Sequence, residues 1–407
     1  MPDTNQPRLL SFTLDGWTAL GGRVSVSLRD RVGVLVGRNG AGKSAILEGF
    51  DAISSSAIGR LNPFRFFDSE SIPKILEIEV LTPTERRLGY RYELIFFPHS
   101  TDNTDIDEST SDSSEESQFS WNESCQYLDE NKEVLWTTEA GVTTLRQGDE
   151  PVITILGNTS SLRQAHLPEN ARLKLPDEMR WIRAILRGVR LLGKIPIRQT
   201  SRRRPSLIRV SGRGMMASGS LGLVDNLARK ILRLLDTEEL SELEKVCQRV
   251  GLGSKITEQK FVLSESSKEK VRGEGDEYLS SVLIDGINLG LLSDGTLRVL
   301  SILLEIISSY PSATTIIEEP ETQIHPGMLD KLLNEIEAYT FDGNLILSTH
   351  SPQVVAWTSP DKLNLVYRNQ GRTNIRKLQE EEIRKVVEYL DEQGDLGDWL
   401  YSGILDE

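Results

Sequence analysis

Gly37-Arg38-Asn39-Gly40-Ala41-Gly42-Lys43-Ser44 satisfies the pattern G-x-x-x-x-G-K-[ST] at every fixed position. Its flanks supply the context that such a loop requires. Val32-Gly33-Val34-Leu35-Val36 is a short apolar run that reads as a buried strand, and Ser44-Ala45-Ile46-Leu47-Glu48-Gly49-Phe50 reads as the opening turns of a helix. Glycine lets the backbone curl closely enough for successive N–H groups to face a phosphate, and the start of the helix adds the positive end of its dipole. Residues 37–44 are therefore the expected cradle of a nucleoside triphosphate. Lys43 is expected to bridge the outer phosphates, and the Ser44 hydroxyl to ligate Mg2+.

Working outward, the 407 residues have room for two domains, or for one large domain with an insertion. A net charge of −14 argues against general polyanion binding by the whole surface, while leaving local patches open. The two cysteines, Cys125 and Cys247, stand far apart without C-x-x-C spacing, so neither a disulfide framework nor a zinc site is expected. No apolar run approaches the roughly 18 residues of a membrane helix, and the start of the chain has no signal-peptide pattern. A cytoplasmic protein with no membrane contact is the expectation.

Leu9 to Leu28 alternate apolar and polar residues around Trp17-Thr18-Ala19-Leu20-Gly21-Gly22, predicting a strand, a turn and a second strand ahead of the phosphate-loop strand. Residues 75–80 and 90–97 carry the same alternation and predict a hairpin. From Thr101 to Ser117 the chain is Ser, Thr and acid, with seven Asp or Glu and no Lys or Arg, which reads as an exposed loop tip. Short strand-like pieces return over 126–155, and 224–250 has the spacing of one or two amphipathic helices.

Between Arg180 and Arg213 there are eleven Lys or Arg and no acid. Arg180, Arg183, Arg187, Arg190 and Lys194 recur at intervals of three and four, which predicts one basic stripe on a helix. Arg202-Arg203-Arg204-Pro205 follows as a basic loop. Arg183, Arg187, Arg190 and Arg203 are candidates for contact with nucleic-acid phosphates or with an acidic partner; a solvated face paired with the acidic remainder of the chain is the alternative.

The remaining chemistry lies between Ser281 and His350. Residues 281–289 predict a hairpin turning at Asp285-Gly286, which delivers Ser293-Asp294-Gly295 to a helix N-terminus, an arrangement suited to an anion. Thr314-Thr315-Ile316-Ile317 is a buried strand ending in Glu318 and Glu319. Glu318 is a candidate Mg2+ ligand, direct or through water, and Glu319 a candidate base that orients or deprotonates the attacking water. A third apolar strand, 344–349, closes on His350, which can sense or hold the γ-phosphate. No D-x-D or H-x-H cluster ends a strand elsewhere, so a nuclease activity would need a partner.

Taken together, these residues resemble the soluble form of the ABC-type ATPase head. Gly37 to Ser44 matches the Walker A loop, Ser293-Asp294-Gly295 resembles the signature motif, Thr315 to Glu319 looks like Walker B with its catalytic Glu, and His350 looks like the switch histidine. Lys43 and Ser293 are 250 positions apart, similar to the SMC, RecF and OLD-like ATPases with large insertions. Glu318-Glu319-Pro320-Glu321 with His325-Pro326, Ser348 to Pro352 and the tail 394–403 resemble the small prokaryotic AAA_21 (AAA15-like) ATPases. The sequence departs from the usual pattern in having Glu318 where Asp is common, Asp294 for the first signature glycine, and no glutamine between Ser44 and Gln118 from which to place the glutamine loop.

The resemblance implies an α/β fold, a P-loop NTPase of ABC-ATPase head type with mixed sheets, flanking helices and a large inserted α+β region. The expected divisions are 1–97 and 281–407 as ATPase lobes and 98–280 as the insertion. It further implies Mg2+-dependent ATP hydrolysis with Lys43, Glu319 and His350 in the catalytic machinery, and a homodimer in which Ser293 serves the nucleotide of the opposite subunit. Control of a separately encoded nuclease- or TOPRIM-like effector in anti-phage defence is the leading implied role; an SMC- or RecF-like part in DNA maintenance is the alternative, and a transporter subunit the less favoured one.

Overall fold

In the computed structural model the described residues are 6–60, 72–96, 119–147, 150–156, 160–164, 175–192, 205–211, 214–217, 223–262, 278–308, 313–379 and 381–382. The acidic run 101–117, Lys194, Arg203 and the tail 394–403 lie outside them. Two compact units emerge, one of Met1–Leu191, Tyr310–Ile316 and Phe341–Glu407, the other of Leu192–Ser309 and Ile317–Thr340.

The chain enters through β1 (Arg8–Asp15) and β2 (Val24–Ser27), an antiparallel pair, before β3 (Val32–Val36) and helix α1 (Lys43–Ala57). Alternation in β1 buries Leu10, Phe12 and Leu14. Helix α1 turns Ile46, Leu47, Phe50 and Ile53 inward, a helical spacing that meets the inner face of this sheet. Phe12 and Phe50 stack with ring centroids 3.9 Å apart, and burying each such ring contributes about 1.5–3 kcal/mol.

Six strands then extend the sheet: β4 (Ile75–Leu81), β5 (Arg87–Phe96), β6 (Phe119–Tyr127), β7 (Val134–Glu139), β8 (Val142–Gln147) and β9 (Glu150–Leu156). The order is β2-β1-β4-β5-β6-β7-β8-β9, and every pairing from β1 onward is antiparallel. The strands over 119–156 thus continue the sheet begun by β1. Their inner face carries the buried Tyr90, Tyr92, Cys125 and Trp136.

Short α2 (Ser161–Gln164) and α3 (Asp177–Arg187) lead to β10 (Val189–Leu192). Here the expected basic stripe is corrected. The helix carries Arg180, Arg183 and Arg187 only, because its last carbonyls are closed by the Gly188 N–H and the chain becomes the strand that holds Arg190. Strand addition wins because Val189 and Leu192 find burial at a sheet edge.

The second unit holds β11 (Ile208–Ser211), β12 (Gly214–Ala217), α4 (Leu223–Leu234), α5 (Glu238–Val250), β13 (Ile256–Val262), β14 (Tyr278–Ile284), β15 (Ile287–Asn288) and α6 (Asp294–Ile307). Its sheet has the order β12-β11-β14-β13, with β15 paired to β14 through the tight turn expected at Asp285-Gly286.

Strand β16 (Thr314–Glu318), α7 (Pro326–Tyr339), β17 (Asn344–Thr349), α8 (Pro352–Trp357), β18 (Leu363–Asn369) and β19 (Arg372–Lys377) complete the chain. The third sheet has the order β10-β16-β17-β3-β18-β19. Both neighbours of β3 run parallel to it. All six residues of β17 are buried, as expected of a central parallel strand covered on both faces.

Candidate functional site

The first unit builds the phosphate loop between β3 and α1. Gly37 leaves the strand with φ +152°, and a Cβ there would stand 2.0 Å from the Val366 carbonyl oxygen. Any side chain would push β18 away, so glycine is dictated by the parallel neighbour as well as by the turn. Arg38, Asn39 and Gly40 are exposed at the tip. Ala41 and Gly42 bring the chain to the first turn of α1, and the Thr373 hydroxyl on β19 donates to the Ala41 carbonyl at 3.0 Å.

Lys43 is 5% exposed, and its ammonium donates to the carbonyls of Gly37 (2.6 Å) and Arg38 (3.1 Å). The charge is thereby held inside the ring of the loop, directly over the start of α1. Ser44, the next residue, is exposed at the same helix start. An ammonium, a hydroxyl and a helix N-terminus within one turn fit a triphosphate and its Mg2+. Among the described residues no cluster of three or more His, Cys, Asp or Glu could hold a metal by itself; a Mg2+ ion shared among phosphate oxygens, a hydroxyl and water needs no such cluster.

His350 is positioned by register. Thr349 of β17 pairs with Val36 of β3 in the parallel ladder, so His350 and Gly37 both step off the carboxyl ends of adjacent strands. The histidine is half-buried, and the turn after it is pinned by the Ser351 N–H donating to the Thr349 hydroxyl at 2.9 Å.

In the second unit, Ser293 is the N-cap of α6, its hydroxyl accepting from the Thr296 N–H at 3.0 Å. Gly295 packs against the loop after β16: a Cβ on it would lie 2.1 Å from the Gln323 carbonyl oxygen. Glu318 ends β16, half-buried, and Glu319 follows with φ +45°, a left-handed conformation uncommon for a residue with a side chain. The Thr322 hydroxyl donates to the Glu319 carboxylate at 3.2 Å. Ser293 to Gly295 and Glu318-Glu319 are thus brought to one locus.

Arg298 escapes a reading by motif. Its guanidinium donates to the carbonyls of Glu318 (2.7 Å) and Glu319 (2.8 Å), and the residue is 7% exposed. Burial lowers its pKa, while Glu321, Glu319 and Glu318 pull it back up. The signal available in the sequence is that Arg298 is the one cation in the apolar helix Asp294–Ile307. A charge at such a position calls for a polar partner across the interface.

Among the glutamines after Ser44, Gln164 is buried in α2. The Ser160 hydroxyl before it donates to the Ala57 carbonyl, at the far end of α1. That end is about 20 Å from Lys43 at the rise of an α-helix. Gln164 therefore does not serve as the missing glutamine loop.

Comparison with known proteins gives a family match over part of the chain and a number of similar solved structures. Residues 247–356 match the profile described as "AAA_21: AAA domain, putative AbiEii toxin, Type IV TA system". No curated protein matches the chain. Solved structures with some likeness include the Smc head bound to the C-terminal winged-helix domain of ScpA, with 13% identity, a TM-score of 0.43 and coverage of 93% of this chain and 100% of that one. An Smc head with an extended coiled coil, bound to the C-terminal domain of ScpA from Pyrococcus furiosus, has 14% identity, a TM-score of 0.40, and coverage of 95% and 100%. The SMC head domain from Thermotoga maritima has 14% identity, a TM-score of 0.36, and coverage of 91% and 99%. No helix of the described residues is long and apolar enough to cross a membrane. The phosphate loop at 37–44 stands on a parallel sheet and residues 247–356 match the AAA_21 profile, so the chain is a P-loop ATPase with an AAA_21-like segment over 247–356.

Proposed function

We propose that this ATPase hydrolyses ATP with Mg2+, closes into a homodimer around the nucleotide, and thereby controls a separately encoded effector in anti-phage defence. The observation that carries the reading is the buried Lys43, whose ammonium is held inside the phosphate loop by the Gly37 and Arg38 carbonyls; in the second unit, taken by itself, the strand-end carboxylates on a backbone held by Arg298 support it. Lys43 and the loop N–H groups bind the phosphates. Ser44 and Glu318 would hold Mg2+, directly or through water, which would supply neutralisation of charge on the phosphates. Glu319 takes the proton of the attacking water as its oxygen bonds to the γ-phosphorus and the bond to the bridging oxygen breaks. His350, beside Gly37, is suited to contact the γ-phosphate.

Ser293 supports the dimer: it is exposed at the N-terminus of a 14-residue helix, where a hydroxyl, backbone donors and the helix dipole can meet a phosphate from a second chain. The family description, with its toxin and its toxin–antitoxin system, supports the defence role. The basic stretch supports contact with DNA or an acidic partner through Arg183, Arg187, Arg190 and Arg203.

The test is Glu319→Gln, which should retain ATP while turnover falls by about 10²–10⁴-fold. Affinity capture of that variant from its native cells, with and without ATP, should recover an effector protein in an ATP-dependent manner. Turnover at the wild-type rate removes Glu319 from the mechanism, and the same proteins recovered in both nucleotide states remove ATP control.

A further inference from the structure

Two arginines distant in sequence join the basic stretch in space. Arg60 lies just beyond α1, and Arg163 lies in α2. The Arg60 guanidinium donates to the Arg187 carbonyl at 3.0 Å, and that of Arg183 donates to the Leu162 carbonyl at 2.9 Å. Arg163 lies across Gly59, with its Nε 3.2 Å from where a Cβ on that glycine would be. Three segments are knotted together by the side chains of these cations, and all of them belong to the first unit.

The electrostatics agree with the geometry. Burial lowers the Arg183 pKa first, and Arg187, Arg60 and Arg163 lower it further. Arg60 is lowered by burial, then by Arg187 and Arg190, and is raised only by Asp51. Asp51 is itself raised by burial, accepts a hydrogen bond from the Leu191 N–H, and is drawn down by Arg60. Among the described residues Asp51, half-buried, is the carboxylate that raises the Arg60 pKa, and guanidinium groups gathered beside it repel one another, a cost that an anionic ligand would offset.

We propose that Arg60, Arg163, Arg183, Arg187 and Arg190 form a second phosphate-binding site, separate from the phosphate loop, for a phosphate-bearing ligand: a nucleic-acid backbone or a small polyphosphate. Phosphate suits the arrangement better than carboxylate does. The guanidinium groups belong to separate segments of the chain, and the oxygens of a phosphate are tetrahedral, so they can accept from several such donors where those of a carboxylate lie in one plane. Arg60 and Arg183 each spend one N–H on a backbone carbonyl, which fixes the fork and leaves other N–H groups for the ligand. The site is distinct from the nucleotide site because α1 separates them: Lys43 begins that helix and Arg60 follows its end, about 20 Å away. The proposal deepens the proposed function by giving the basic stretch a ligand class, and it rests on that reading only for a link to ATP.

The experiment uses the full chain carrying Lys43→Ala, which disables the phosphate loop. A short fluorescein-labelled DNA duplex is titrated by anisotropy, and inorganic tripolyphosphate by calorimetry, over a series of salt concentrations. At least one probe should bind, with affinity falling steeply in salt. Adding Arg163→Ala with Arg187→Ala, both at exposed positions, should weaken binding at least about tenfold and lower the salt slope by about 0.9 per arginine for DNA. The matching lysine pair should recover most of the slope, which separates charge from folding damage. DNA without tripolyphosphate assigns a nucleic-acid backbone, and tripolyphosphate without DNA assigns a small ligand. Binding of neither probe, or equal affinity in the double alanine chain with an unchanged circular dichroism spectrum, overturns the site. Because every chain here lacks Lys43, the outcome is independent of whether Glu319→Gln abolishes turnover.

Discussion

Arg298 holds the backbone of Glu319: one guanidinium nitrogen donates to the Glu319 carbonyl at 2.8 Å and to that of Glu318 at 2.7 Å. Glu319 sits at φ +45°, a conformation that costs about 1–2 kcal/mol for a residue with a side chain. The buried arginine offsets part of that cost by holding both carbonyls, and so fixes the backbone from which the carboxylate projects. Arg298→Met, of similar length and apolar, should lower the melting temperature, corresponding to a loss of about 1–3 kcal/mol. It should also reduce kcat by about tenfold or more with a smaller change in KM for ATP, because the loss falls on the positioned carboxylate. A kcat equal to that of the parent would show that the clamp is structural only.

The close approach of Gly37 to the Val366 carbonyl makes a sharper prediction. Gly37→Ala places a methyl carbon 2.0 Å from a backbone oxygen at φ +152°, so β18 must shift or the loop must open. Nucleotide binding should be lost, and stability should fall by about 1–3 kcal/mol. Fluorescent ATP-analogue titration together with a thermal melt checks both, and retained tight binding would mean that the loop relaxes elsewhere.

Ser293→Arg tests the dimer. The substitution removes the cap to Thr296, a loss of about 1 kcal/mol, and sets a bulky cation where the second subunit is proposed to bring its nucleotide. In the Glu319→Gln background, light scattering with ATP should show a doubled mass for Ser293 and a single mass for Arg. A doubled mass in both, or in neither, counts against the trans role of Ser293.

Glu123 predicts a pH dependence of stability. It is fully buried on β6, accepts hydrogen bonds from the Ser161 N–H (3.0 Å) and hydroxyl, and burial pushes its pKa up to about 7 against those bonds. The folded state therefore holds this proton more tightly than the unfolded state, whose carboxyl titrates near about 4.3. Its contribution is fully present below that value and is lost as pH rises to about 7, a fall of the order of 3 kcal/mol. Glu123→Gln keeps an acceptor for Ser161 and should flatten the fall in melting temperature between pH 5 and 8. Parallel curves for the two proteins would show that Glu123 is not the titrating group.

The phosphate loop was legible in the sequence because its chemistry is local: eight consecutive residues and two flanking patterns supply the donors, the turn and the helix. The hairpins at 75–96 and 278–288 and the cap at Ser293 were legible for the same reason, since alternation and capping act over a few residues. The basic stripe predicted from Arg180 to Lys194 overruns the helix, because intervals of three and four persist past Gly188 while burial at a sheet edge turns the backbone into a strand. What only the tertiary structure decided are relations between residues far apart in the chain. Thr349 reaches Val36 through parallel pairing, Thr373 reaches Ala41 across 332 positions, and Arg298 reaches Glu319 between a helix and a strand end. Arg60 and Arg163 join the arginines of α3 and β10 only when α1, α2 and α3 pack on one core. Local sequence fixes torsions and patterns within an element, whereas the choice of which elements meet is made by the burial of whole faces, and no short motif records it.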